Sequence, residues 1–119
     1  MVLALFSQEI SESVNDVVQS FLSSKFSKES KFYVEKKLHD KLAFDVDLEL
    51  ISFNKSKDLD SSIDLLVSIG GDGTFLRTIE YVRDLNIPVM GINTGNLGFL
   101  ATIKKENLDQ AVEKIYNKK

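Results

Sequence analysis

Three glycines and one carboxylate break the most apolar stretch of the sequence, at Ile69-Gly70-Gly71-Asp72-Gly73-Thr74. Glycine admits positive φ and lets a ligand approach the backbone closely. A helix that begins at once behind such a turn aims its first, unpaired N–H groups at whatever sits there. The stretch therefore has the build of an anion-binding turn. Asp72 is the odd member: a carboxylate repels phosphate, so its chemistry is that of a proton acceptor or a metal ligand. A second unusual loop, Asn93-Thr94-Gly95-Asn96-Leu97-Gly98, follows soon after. All 6 glycines of the chain fall between Gly70 and Gly98.

Two familiar phosphate motifs are excluded. A P-loop needs Lys after its last Gly, and neither loop has one. The dinucleotide fingerprint needs a third Gly where this chain has Leu76. Plainer readings stand beside the functional ones. Asp72 could cap a helix, and Asn and Gly favour turns of any kind. Arg77 would lie in the first turns of the following helix, where a cation opposes the helix dipole. Either an anionic ligand offsets that, or Glu80 pairs with it one turn on. His39 reads as solvated surface, as do the lysines at 25, 28, 31, 36 and 37, some of which could instead meet phosphates.

The elements that must position these residues follow from periodicity. Val2 to Phe6 reads as a strand. Ile10, Val14, Val17, Val18, Phe21 and Leu22 recur at helical spacing, with a capping box at Ser13 and Asp16 and Ser11 as its competitor. Lys31 to Glu35 reads as a strand and Lys36 to Phe44 as a short helix. Asp45 to Phe53 fits strand and helix about equally, and Asn54 to Ser62 is a polar connection. Ile63 to Ile69 is the strand before the glycine turn. Thr74 to Leu85 is the helix after it, with Phe75, Leu76, Ile79, Val82 and Leu85 inward and Arg77 on the opposite face. Asn86 suits a left-handed helix end. Ile87 to Ile92 is a strand that tolerates Pro88 at its start. Asn107 begins a last helix carrying Leu108, Ala111, Val112 and Ile115. Strands alternating with helices predict an α/β domain: a three-layer, mostly parallel, Rossmann-like sheet with helices on both faces. Both loops then lie beyond the carboxyl ends of the strands, where such sheets bind ligands.

Composition narrows the function. The 119 residues suffice for one domain, and 15 basic against 18 acidic residues argue against nucleic acid as the main partner. Without Cys and with 1 His there is no disulfide framework, thiolate or structural zinc site. No apolar run approaches the ~18 residues of a membrane span, and the start lacks a signal peptide's basic region, so the cytoplasm is the expected address.

Gly70-Gly71-Asp72-Gly73-Thr74 resembles the signature shared by NAD kinases, diacylglycerol-type lipid kinases and phosphofructokinases. Pro88-Val89-Met90-Gly91-Ile92-Asn93-Thr94-Gly95-Asn96-Leu97-Gly98-Phe99-Leu100 resembles the second NAD kinase motif at that family's spacing, whereas lipid kinases carry a different loop there. The resemblance is strong from Ile63 to Ile103. It implies transfer of a phosphoryl group from ATP, or in some members polyphosphate, to the 2′-hydroxyl of the adenosine ribose of NAD, with Mg²⁺ or another divalent cation. Asp72 matches the family's proton acceptor. Gly71, Gly73 and Thr74 would surround phosphates, Arg77 would contact NAD, and Asn93 and Gly95 would belong to the same site. Phe99 would pack beside a nucleotide ring; Leu100 carries no role over. No metal ligand is assigned. The resemblance also implies a following β-rich domain bearing an Asn-Glu or Asn-Asp pair that holds ribose hydroxyls, and a homo-oligomer of the complete protein. Its expected partners are NAD and ATP, with neither nucleic acid nor membrane. The rival readings are a lipid kinase of the same superfamily and a noncatalytic nucleotide-binding module, the latter for these 119 residues alone.

Overall fold

Alternation along the strands separates two cores. Leu3 and Leu5 of the first strand pack into one, Ala4 and Phe6 into the other, as period-two geometry demands. The computed structural model describes residues 1–8, 11–24, 27–42, 48–54, 56–82, 85–94, 103–104 and 108–117. Its strands are β1 (Val2–Phe6), β2 (Lys31–Glu35), β3 (Leu50–Phe53), β4 (Leu65–Gly70), β5 (Val89–Asn93) and β6 (Ile103–Lys104). The helices are α1 (Glu12–Leu22), α2 (Lys36–Asp40), α3 (Asp72–Val82) and α4 (Leu108–Asn117). The six strands form one sheet in the order β3-β2-β1-β4-β5-β6, and every pairing is parallel. Parallel sheets are covered on both faces. Residues of α1, α2 and α4 pack into one core; Leu59 and Ile63 of the β3–β4 connection and Val82 of α3 pack into the other. The predicted three-layer α/β architecture is therefore present.

This strand order reverses between β1 and β4. From β1 the chain proceeds outward to β2, and from β4 it proceeds the opposite way to β5. The connections that leave their carboxyl ends consequently run in opposite directions and leave a crevice, the usual ligand site of such sheets. The glycine turn lies at the end of β4, on one lip of that crevice.

The helices depart from expectation in informative ways. Ser11, not the Ser13–Asp16 box, caps α1: its hydroxyl accepts from the Val14 N–H at 3.2 Å. We expect Ser11→Ala to cost about 1 kcal/mol, read as a lowered urea midpoint. Tyr116 on α4 donates to the Phe21 carbonyl at the end of α1 (3.3 Å), and burial pushes its phenol up to about 12. α2 ends at Asp40, and residues 43 and 44 of the longer helix predicted lie outside the described residues. The ambiguous stretch before Phe53 resolves as strand β3, pairing Phe53 with Glu35. The connection after it contains a 3₁₀ turn, Ser56–Asp58. β4 begins at Leu65 rather than Ile63, because the Ile63 N–H closes a turn on the Asp60 carbonyl. β5 likewise starts after Pro88, at Val89. Asn86 adopts φ 56°, the left-handed conformation expected of it.

α3 differs most. It starts two residues early, at Asp72, and its buried residues are Thr74, Thr78 and Val82. Leu76 and Ile79 are 53% and 44% exposed. A polar contact sets this rotation: the buried Thr78 hydroxyl bonds with the Ser68 hydroxyl of β4 (2.9 Å) and donates to the Thr74 carbonyl (2.8 Å). Apolar spacing alone pointed to a face turned toward Phe75 and Ile79. Satisfying Ser68 inside the sheet overrides it, since a buried hydroxyl without a partner is costly.

Candidate functional site

The glycine turn is built from two kinds of glycine. Gly70 has φ 147°, and a Cβ there would lie 2.8 Å from Thr74 Oγ1. The chain's own packing requires that glycine. Around Gly71 and Gly73 an added Cβ meets nothing within 4 Å, and neither has a positive φ. Nothing among the described residues requires glycine there.

Gly71 occupies the cap position of α3. Its carbonyl accepts from the Phe75 N–H at 3.1 Å, and Asp72 is the first helical residue. The capping role weighed for Asp72 thus falls by position on Gly71. The Asp72 carboxylate stands, half-buried, at the positive end of the helix. Thr74 is 3% exposed and packs under Gly70, so only its backbone is available to the turn's outer side.

The second loop begins beside the first. Asn93 pairs with Gly70 in the β4–β5 ladder, and the Thr94 N–H donates to the Gly70 carbonyl at 3.2 Å. Two motifs 23 positions apart in the chain therefore share one lip of the crevice. Gly95 and Phe99, also predicted for the site, lie outside the described residues.

On the other side of the turn is a cleft of about 390 Å³. The end of β1 lines it with Phe6, Ser7 and Gln8, and α3 contributes Arg77 and Tyr81. Glu35 at the end of β2, Lys37 and Asn54 complete the wall. Ladder registers explain the assembly. Leu5 aligns with Val34, Phe6 with Ser68, and Glu35 with Phe53. Phe53, Glu35, Phe6 and Ser68 thus form one row across the sheet, on the face that α3 covers. The Tyr81 ring lies 4.9 Å from that of Phe6 and 6.2 Å from that of Phe53, and its hydroxyl donates to the Asn54 carbonyl (3.1 Å). Burial, with the Glu35 charge second, raises the Tyr81 phenol above its ordinary pKa.

Arg77 has the Glu80 partner of its plainer reading. It lies 3.8 Å from Glu80 and also lines the cleft. The side chains are 56% and 70% exposed, and such a pair is worth at most about 1 kcal/mol. It leaves the guanidinium available to an anion. His39 sits near Asp40 (3.8 Å), and its side chain is 37% exposed. Among the described residues no three His, Cys, Asp or Glu group together as metal ligands, and no helix is long and apolar enough to cross a membrane. Sequence reasoning did not single out Glu35 or Tyr81, which line the cleft as well. Strand parity could have found Glu35, since it shares the Tyr33 face rather than that of Phe32 and Val34.

The family profile described as the ATP-NAD kinase N-terminal domain matches residues 3–119. An NAD kinase of Flavobacterium johnsoniae is 33% identical over 121 residues, covering 98% of this chain and 40% of the relative. One from Christiangramia forsetii is 54% identical over 67 residues, covering 56% of this chain and 23% of the relative. The crystal structure of yeast NADH kinase, solved with NADH, superposes with a TM-score of 0.80 at 20% identity. It aligns 98% of this chain with 38% of the yeast protein, a likeness of fold. The chain thus spans at most about two fifths of these relatives.

Proposed function

The chain belongs to the NAD kinase family, and from that premise we propose that the full-length protein phosphorylates the adenosine ribose 2′-hydroxyl of NAD with ATP as donor. The observation that carries this reading is the shared lip. Gly70 pairs with Asn93, Asp72 opens α3 beside them, and Gly71 and Gly73 keep open space that no described residue fills.

The chemistry follows from that arrangement. A ribose hydroxyl is a weak nucleophile until its proton is removed as the new P–O bond forms. Asp72 is the carboxylate at the turn and takes that proton. Phosphoryl transfer otherwise depends on positioning and on stabilising the charge of the transferred group. Backbone N–H groups at the start of α3, with the helix dipole, provide donors that point outward already. Arg77, on the cleft side, adds a cation one and a half turns along. A divalent cation suits a site with one carboxylate beside nucleotide phosphates, because Mg²⁺ is commonly held by one or two carboxylates plus the phosphates themselves. Asp72 is the residue here that would share it, and the ion would neutralise phosphate charge. The family's remaining attributes complete the proposal: a cytoplasmic homo-oligomer whose following domain supplies the rest of the nucleotide pocket.

NADP formation by the full-length protein, with NAD and ATP supplied, is the direct test. Absence of product over a range of divalent cations and with polyphosphate as alternative donor would refute it. Arg77→Ala should weaken nucleotide binding about tenfold, the loss of one charge-assisted contact. Stability should stay within about 0.5 kcal/mol, because an exposed pair with Glu80 is all the fold loses. Calorimetric titration alongside thermal melting reads both quantities. Lost stability with unchanged affinity would return Arg77 to a surface role.

A further inference from the structure

Glu35 is 5% exposed and lines the cleft. Its row neighbours in the sheet are aromatic: Phe53 is paired with it, Phe6 lies on the other side, and Tyr81 packs against both rings. A carboxylate in such surroundings loses water it would otherwise keep, so its retention calls for hydrogen-bond donors. The Leu38 N–H supplies one, at 3.2 Å. A carboxylate offers about four acceptor positions; among the described residues one backbone amide bonds it, and Glu35 lines the cleft.

Position identifies the ligand. In dinucleotide-binding sheets with this strand order, whose phosphate turn follows β1, an acidic residue at the end of β2 receives a ribose hydroxyl; two donors on adjacent carbons match two carboxylate oxygens. Here the phosphate turn follows β4 rather than β1. β4 and β2 are two strand spacings apart, about 10 Å, which a nucleoside triphosphate spans between its terminal phosphate and its ribose. Lys37 and Arg77 stand on the cleft wall as cations for the chain of phosphates between them. The acceptor's reacting ribose, by contrast, must sit at Asp72 itself.

We infer that the cleft between the ends of β1 and β2 is the phosphoryl-donor subsite, and that Glu35 accepts hydrogen bonds from the 2′- and 3′-hydroxyls of the donor ribose. The assignment rests on the kinase reading and specifies which nucleotide lies on which side of the turn. It makes Glu35 a specificity residue, since a site built to bond a hydroxyl rejects the analogue without it.

The test is equilibrium binding of ATP and of 2′,3′-dideoxy-ATP to the full-length protein. Wild type should favour ATP by at least about tenfold, one to two hydrogen bonds to a charged group. Glu35→Gln keeps an oxygen for the Leu38 N–H and should bind both nucleotides alike, near the dideoxy value, with NAD affinity unchanged. Glu35→Asp, which keeps the charge and withdraws it by one methylene, should fall between. Equal wild-type affinities for the two nucleotides would overturn the inference, as would discrimination that survives in Glu35→Gln. A loss confined to NAD would also overturn it, by placing the acceptor in the cleft. Binding is read without turnover, so failure to form NADP would remove the kinase reading alone, while the ATP ratio still decides for or against Glu35.

Discussion

Asp72→Asn in the full-length protein should leave the fold intact, bind NAD as well or better, and lose between about 10² and 10⁴ of kcat. Each part has a separate origin. Asn is close to Asp in size and can still hydrogen-bond, and at the first position of α3 the change removes only a favourable charge–dipole term of ~0.3–1 kcal/mol. Stability therefore changes little. Substrate binding improves or holds because a negative charge that faces nucleotide phosphates has gone. Turnover falls because an amide cannot take the proton of the attacking hydroxyl. Melting temperature, NAD affinity and kcat measured on one preparation separate these contributions. Near-normal kcat would make Asp72 a structural residue, whereas weakened NAD binding with normal kcat would assign it to substrate recognition.

How legible the site was in the sequence depends on the physical basis of each feature. The glycine turn could be read because it is local: a buried strand, three glycines and a helix occur within one continuous stretch, and backbone geometry acts over that range. The Asn93 loop could be read for the same reason, and the ladder then placed it against Gly70. Glu35 and Tyr81 could not be read this way. Parity along β2 puts Glu35 on the Tyr33 face, but the neighbours that surround it and Tyr81 come from other strands and from α3, at separations periodicity does not encode. The rotation of α3 failed for a related reason. Counting apolar residues pointed to Phe75, Leu76 and Ile79, but the deciding contact joins two hydroxyls, Thr78 and Ser68. Polar residues that satisfy one another inside a sheet look like surface to a hydropathy pattern. Leu76 and Ile79 are left exposed as a result.

The two kinds of glycine in the turn should respond oppositely to the same substitution. Gly70→Ala should destabilise the 119-residue chain by about 3 kcal/mol, seen as a lower urea midpoint. Part is backbone strain, since φ 147° is a conformation L side chains rarely adopt; a residue held in such a region costs ~1–3 kcal/mol. The remainder is steric. The new methyl would lie 2.8 Å from Thr74 Oγ1 and 3.1 Å from Thr74 Cβ, and Thr74 is buried under the turn with little room to move. A double-mutant cycle separates the two costs. In a Thr74→Ala background the hydroxyl is gone and only the Thr74 Cβ position, at 3.1 Å, still crowds the site, so Gly70→Ala should cost less, about 1–2 kcal/mol. Equal costs in both backgrounds would mean that backbone conformation alone requires this glycine. Gly71→Ala is the contrasting case. An added Cβ there meets nothing within 4 Å, and removing a glycine reduces the freedom of the unfolded chain, so stability should hold or rise by about 0.5 kcal/mol. The methyl would instead enter the space where the turn's backbone meets phosphate, and kcat/KM of the full-length protein should fall with the fold intact. If Gly71→Ala kept full activity, the open space at the turn would have no ligand to serve.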